Sequence, residues 1–211
     1  MKKLTKVLAG SSILLSLFFF SCASVEKSEK AEDIVNFVEI NEDLNYLNGR
    51  ISYPEFLNYP DLTEKISEFV AENWFNFKNY SETNWQEGSY PFEYVVNSDI
   101  TYGEDIISVK VDEYMFTGGN HGETKISTFN FSTKDNKFVN IEEISGYTYE
   151  ELSKISKEAL SDVMISEEGL APVPENFNDF TVNGNEITIY FEQYDVSSYS
   201  EGVQTVKIIK K

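Results

Sequence analysis

The chain of 211 residues carries 36 Asp and Glu against 17 Lys and Arg, a formal net charge of −19 at neutral pH. Such a surface repels nucleic acid and anionic headgroups, which are therefore poor partners, whereas a cationic protein or peptide is a favourable one; the same charge also serves plain solubility. With 16 Phe, 13 Tyr and 2 Trp the chain has ample apolar area for a packed core, which excludes a disordered polymer, and its single cysteine excludes an intramolecular disulfide.

The first residues address the compartment. Lys2, Lys3 and Lys6 precede an apolar run from Val7 to Phe20, and Ser21 and Cys22 follow. A basic start, a short apolar run and a small residue before the cut form a secretory signal. The run falls short of the roughly 20 residues that a membrane-spanning helix needs. Cys22 stands where a lipoprotein signal places its acylated residue, with Phe19 and Phe20 where small or aliphatic residues are usual; the alternatives are an ordinary signal peptide cut just after Ser21 or Ala23 and an uncleaved anchor. The expected organisation is a signal over 1–21, a polar tether over 22–33 and an extracytoplasmic domain over 34–211. That domain is either one body or two small lobes, about 34–90 and 91–211. The first 21 residues hold three of the 17 basic residues and none of the 36 acidic ones, so the remainder has a net charge of −22.

Within the domain, 34–40 reads as a first strand, and Leu44 to Phe56 as an extended stretch with a hairpin turn at Asn48-Gly49. Pro60 opens a helix. Asp61 and Glu64 have capping-box spacing, and Leu62, Ile66, Phe69, Val70, Trp74 and Phe77 make one apolar face. Phe92, Tyr94, Val96 and Ile100 alternate with polar residues, as do Ile107, Val109 and Val111, giving strands with one dry face and one wet face. A Gly-rich loop, Thr117 to Gly122, leads to a strand over 124–131, and Lys134 to Lys137 turns it back. Thr148 to Glu151 caps a second helix that carries Leu152, Ile155, Ala159, Leu160, Val163 and Met164 as far as the Pro172–Pro174 loop. Asn183-Gly184-Asn185 joins the closing strands. The expected class is α+β, with antiparallel sheets, two main helices and the order strands, helix, three strands, helix, two strands.

Two segments carry a family resemblance. One runs from Phe116 through Gly118-Gly119-Asn120-His121-Gly122 to Thr128-Phe129-Asn130-Phe131 and on to Ile144. The other is Ile189 to Gly202, with Tyr190, Tyr194 and Tyr199; Ile51 to Pro54 adds to them. Together they resemble the extracellular domain shared by the lysozyme-binding anti-sigma factor RsiV and the peptidoglycan deacetylase PdaC, in which it stands beside the catalytic domain. The resemblance spans about 45–209. It implies a binding module alone, since no sigma-binding segment, transmembrane helix or deacetylase domain is expected next to it.

The residues themselves point the same way. His121 is the only histidine; without a nucleophile or further ligands near it in the sequence, it is read as pinning the Gly-rich loop, with ligand contact as the alternative. Gly118 and Gly119 permit close backbone approach, but no Lys-Ser/Thr follows them, so nucleotide binding is not expected. Tyr190, Tyr194 and Tyr199 are read either as a sugar- or protein-contact surface or as packing. Adjacent carboxylates at Asp112-Glu113, Glu142-Glu143, Glu150-Glu151 and Glu167-Glu168 point to different faces and are read as solvated, which argues against the facing pair of a glycosidase. The expected protein is an exported lipoprotein, anchored to the cell membrane or outer membrane through acyl chains such as palmitate on Cys22. It has no enzymatic activity, cofactor or metal. It binds a cationic protein such as lysozyme or, alternatively, peptidoglycan.

Overall fold

The structure, a computed structural model, describes residues 35–211. The expected signal segment, Cys22 and the tether over 22–33 lie outside the described residues. Strands β1 (Val35–Asp43), β2 (Leu47–Phe56), β3 (Phe92–Tyr102), β4 (Ile106–Phe116), β5 (Glu123–Ser132) and β6 (Lys137–Phe138) form one sheet in chain order. Helix α1 (Pro60–Asn84) connects β2 to β3. Two helices, α2 (Ile141–Ser145) and α3 (Tyr149–Ala159), lead to a second sheet of β7 (Phe180–Asn183), β8 (Glu186–Phe191) and β9 (Gln204–Ile209). The fold is α+β, and the closing group has three strands where two were expected.

The first sheet is mixed rather than antiparallel. β2 and β3 pair in parallel from Leu47↔Phe92 to Ile51↔Val96, because the α1 crossover returns the chain to the end of the sheet where β2 began. The expected turn at Asn48-Gly49 is strand instead: Gly49 pairs with Glu42, and the chain reverses at Leu44–Tyr46. Gly49 serves a different purpose. A Cβ there would sit 2.4 Å from the Trp74 ring, so only glycine lets α1 lay its indole on β2.

Helix α1 buries Leu62, Ile66 and Val70, each at most 1% exposed and each worth about 1.5–3 kcal/mol by burial. Asp61 does not cap it. Pro60 takes the first helical position, Tyr59 becomes the cap residue and Asp61 falls in the first turn. The Thr63 hydroxyl ties the entry by accepting from the Phe56 N–H (2.7 Å). In contrast, α2 and α3 both begin with complete capping boxes, Asn140 with Glu143 and Thr148 with Glu151. Helix α3 ends at Ala159, well before Pro172, because Ser161 and Asp162 favour a turn; Val163 and Met164 pack after the chain has turned.

Two cores result. The first joins α1 to β2–β5 through Leu47, Ile51, Phe56, Tyr94, Val109, Val111 and Phe131. The second gathers Ile141, Leu152, Phe177 and the inward residues of β7–β9. The expected wet face of β4 is dry over the first half of the strand: Ile106 belongs to the second core and Ser108 is fully buried. The cause is β7, whose Val182 N–H donates to the Ser108 hydroxyl (2.9 Å). Asn130 completes the seam, accepting from Ser108 (2.6 Å) and donating to the Phe180 carbonyl (2.8 Å).

Candidate functional site

The β4–β5 connection carries Gly118 and Gly119 at φ +86° and +105°, values that a side chain would resist. The loop is drawn onto the segment after β8. Tyr199 donates its hydroxyl hydrogen to the Gly122 carbonyl (2.8 Å), and its ring stacks on His121 with centroids 3.9 Å apart. Gly122 also makes room for Tyr114 of β4, since a Cβ there would fall 2.4 Å from that ring. Tyr194 stands beside the pair, 5.9 Å from Tyr199 and 63% exposed. Its φ of +75° is uncommon for a residue with a side chain. A tight turn holds it there: the Glu192 N–H donates to the Asp195 carboxylate and the Asp195 N–H to the Glu192 carbonyl.

Three of the sequence candidates, His121, Tyr194 and Tyr199, thus meet at one rim, whereas Gly118 and Gly119 shape the loop without lining the cleft. Behind it lies a cleft of about 440 Å³ walled by Phe77 and Tyr80 of α1, Met115, His121, Tyr194 and Tyr199. The cleft continues past Phe77, Tyr80 and Met115 into a hollow of about 270 Å³ that Asn73, Asn76, Tyr94, Glu113 and Lys125 complete. Tyr190 is not part of this group. Its hydroxyl bonds Thr181 (3.0 Å), the Lys110 ammonium lies 5.8 Å from its ring centroid, and it borders a separate acidic hollow.

Glu113 is the residue that sequence reasoning missed. Read as solvated beside Asp112, it is only 4% exposed. The period of two along β4 carries the signal: Glu113 continues the inward series Ile107, Val109, Val111. Its carboxylate accepts from the Tyr94 hydroxyl and from the Asn73 amide (3.1 Å). Burial raises its pKa above the ordinary value, against the lowering pull of those two hydrogen bonds and of Lys125. Burial, reinforced by Glu113, likewise raises the pKa of the Tyr94 hydroxyl, which stays a donor.

The acidic hollow is walled by Asp179, Glu192 and Asp195, which serve the backbone. Asp179 accepts from the Thr128 N–H (2.9 Å) and Glu192 from the Ile126 N–H (2.8 Å), so the open edge of β5 is paired by carboxylates. Burial first, then the charges of Glu192 and Asp195, push Asp179 up to about 6 despite the Thr128 hydrogen bonds. Among the described residues no set of three or more His, Cys, Asp or Glu is arranged to hold a metal ion.

Residues 40–124 match the family model described as deacetylase PdaC, and residues 132–211 match the protein of unknown function DUF3298. The chain carries the shared PdaC/DUF3298 domain. The two matches end and begin within β5, and residues 125–131 of that strand lie in neither. A curated relative, the peptidoglycan-N-acetylmuramic acid deacetylase PdaC of Bacillus subtilis (strain 168), is 27% identical over 191 residues. That alignment covers 84% of this chain and 40% of the relative's length, the part outside its catalytic domain. A DUF3298 family protein from Pseudomonas aeruginosa PAO1 shares the fold at a TM-score of 0.61 and 11% identity, over 84% of this chain and 90% of that one. A Bacteroides fragilis NCTC 9343 member does so at 0.57 and 17%, with the same coverage. The PdaC/DUF3298 domain is cell-envelope associated, and among the described residues no helix is long and apolar enough to cross a membrane.

Proposed function

We propose that this protein is a lipid-anchored, non-catalytic receptor of the cell envelope that captures a cationic protein, for which lysozyme is the working partner. The observation that carries this reading is the convergence of the Gly118–Gly122 loop and the Tyr194–Tyr199 segment into one aromatic rim on a strongly acidic chain. Rigid aromatics supply anchoring area and the charge excess accelerates encounter with a basic partner. Tyr194, exposed on a strained backbone, is poised as such an anchor. The test is calorimetric titration with lysozyme at low salt and at about 150 mM, where exposed charges are screened beyond about 8 Å. Saturable binding at both supports the receptor; binding lost with salt reduces it to charge attraction.

A second reading, binding of peptidoglycan glycan, is favoured by the amides of Asn73 and Asn76 beside aromatic faces and by the substrate in the relative's name. Retention on purified cell wall that tolerates salt distinguishes it. For the anchor, incorporation of labelled palmitate and membrane fractionation, both abolished by Cys22→Ser, are the expected results.

A further inference from the structure

A buried carboxylate is ordinarily paired with a cation, since its desolvation is otherwise uncompensated. Glu113 is 4% exposed, yet none of the ion pairs among the described residues includes it. Its partners, Tyr94 and Asn73, are neutral donors and take one position on each carboxylate oxygen. Ionised carboxylates accept about four hydrogen bonds, so about two positions remain. Lys125 stands across from Glu113 in the β4–β5 register, borders the same hollow and draws the carboxyl's pKa down, but its side chain is solvent-exposed and makes no ion pair with Glu113.

We infer that the Glu113 end of the cleft is a cation site, which takes the ammonium or guanidinium of a Lys or Arg side chain presented by a basic protein. The partner rests on the function proposed above; the site does not. The walls suit the charge. Phe77 and Tyr94 stack with centroids 5.0 Å apart, Tyr80 lies 6.4 Å beyond Phe77, and aromatic faces attract cations. Asn73, Asn76, Phe77 and Tyr80 fall on one stripe of α1, so the helix offers both the amides and the rings. The entering side chain supplies the direct contact that the exposed Lys125 does not make, and the carboxyl yields its proton more readily when the site is filled.

The probe is Nα-acetyl-lysine methylamide, with its Nζ-acetylated counterpart as the neutral control. Both are titrated into the purified protein and followed by calorimetry and by the NMR signals of the cleft aromatics. The free ammonium should bind saturably. Binding should weaken at least about 10-fold for the acetylated probe and for Glu113→Gln, which keeps the side chain's shape. In buffers of differing ionisation enthalpy, binding on the acid side of neutrality should release protons. Equal binding of the two probes overturns the inference, as does a folded Glu113→Gln protein that binds like the parent. Should that variant fail to fold, the two probes on the parent protein decide. A parent that binds lysozyme as tightly as Glu113→Gln does leaves the receptor standing and removes the cation site. A parent that binds the probe but no lysozyme does the reverse.

Discussion

Tyr199 and His121 stack ring on ring at 3.9 Å, and the Tyr199 hydroxyl holds the carbonyl of Gly122, 77 residues earlier in the chain. One tyrosine therefore fastens the Gly-rich loop to the segment that carries Tyr194. Removing only the hydroxyl, in Tyr199→Phe, should cost about 1 kcal/mol in denaturant unfolding. Tyr199→Ala also frees the His121 ring, and should weaken lysozyme binding at least about 10-fold by calorimetry, with the Phe variant near the parent. Equal affinities for Phe and Ala would mean that the ring makes no part of the rim.

Gly49 lies beneath Trp74 with no room for a methyl group. Gly49→Ala should destabilise by about 1–3 kcal/mol through overpacking. Trp74→Leu in the same chain should make the alanine far less costly, because the two changes share one contact. Urea midpoints of the four proteins measure that coupling, and strict additivity would contradict the packing described.

Asp179 sets a pH dependence whose sign is opposite to that of an ion-paired carboxylate. Its folded pKa, about 6, exceeds the ordinary 3.8. The folded form therefore holds the proton more tightly, and the stabilisation this brings is complete below about 3.8 and lost as pH rises through about 6. Asp179→Asn keeps an oxygen for the Thr128 N–H without the charge. It should raise stability at pH 7 by on the order of 2 kcal/mol and flatten the melting temperature between pH 4 and 7. A variant less stable at pH 7 would mean that the carboxylate charge itself is needed.

Thr128 joins the two sheets. Its hydroxyl accepts from the Phe180 N–H (3.0 Å) and donates to the Asn178 carbonyl (3.3 Å). Thr128→Val leaves the Phe180 N–H at the seam without a partner, at a cost of about 1–3 kcal/mol. Hydrogen exchange should accelerate at the Phe180 amide before it does so in β2 or β3, since the disturbance is local. A uniform change would indicate a single cooperative unit with no weak seam.

Much of the fold was legible locally. The α1 stripe from Leu62 to Phe77, the capping box at Thr148 and the alternation of β3 each follow from side chains a few residues apart. The errors share a cause. Asn48-Gly49 has the composition of a turn, yet its glycine answers to an indole 25 positions later. Asp61 has the spacing of a cap, yet Pro60 displaces it by one position. Glu113 was judged with its neighbour Asp112 when its true companions were Val109 and Val111 on the same face. Of the candidate site, the loop glycines, His121, Tyr194 and Tyr199 were named from the sequence, whereas their meeting, and Tyr190 lying elsewhere, depend on contacts about 70–80 residues apart.

By itself the sequence determined the class of each segment and the sign of the surface, because hydrophobic period, capping and net charge are properties of short stretches or of simple sums. The tertiary structure alone decided that β2 runs parallel to β3, that β4 is dry on both faces where β7 lies against it, and that Glu113 is buried without an ion pair. Each of these depends on which distant segment comes to rest on a given face, and that choice is made by packing between elements whose partners no local pattern names.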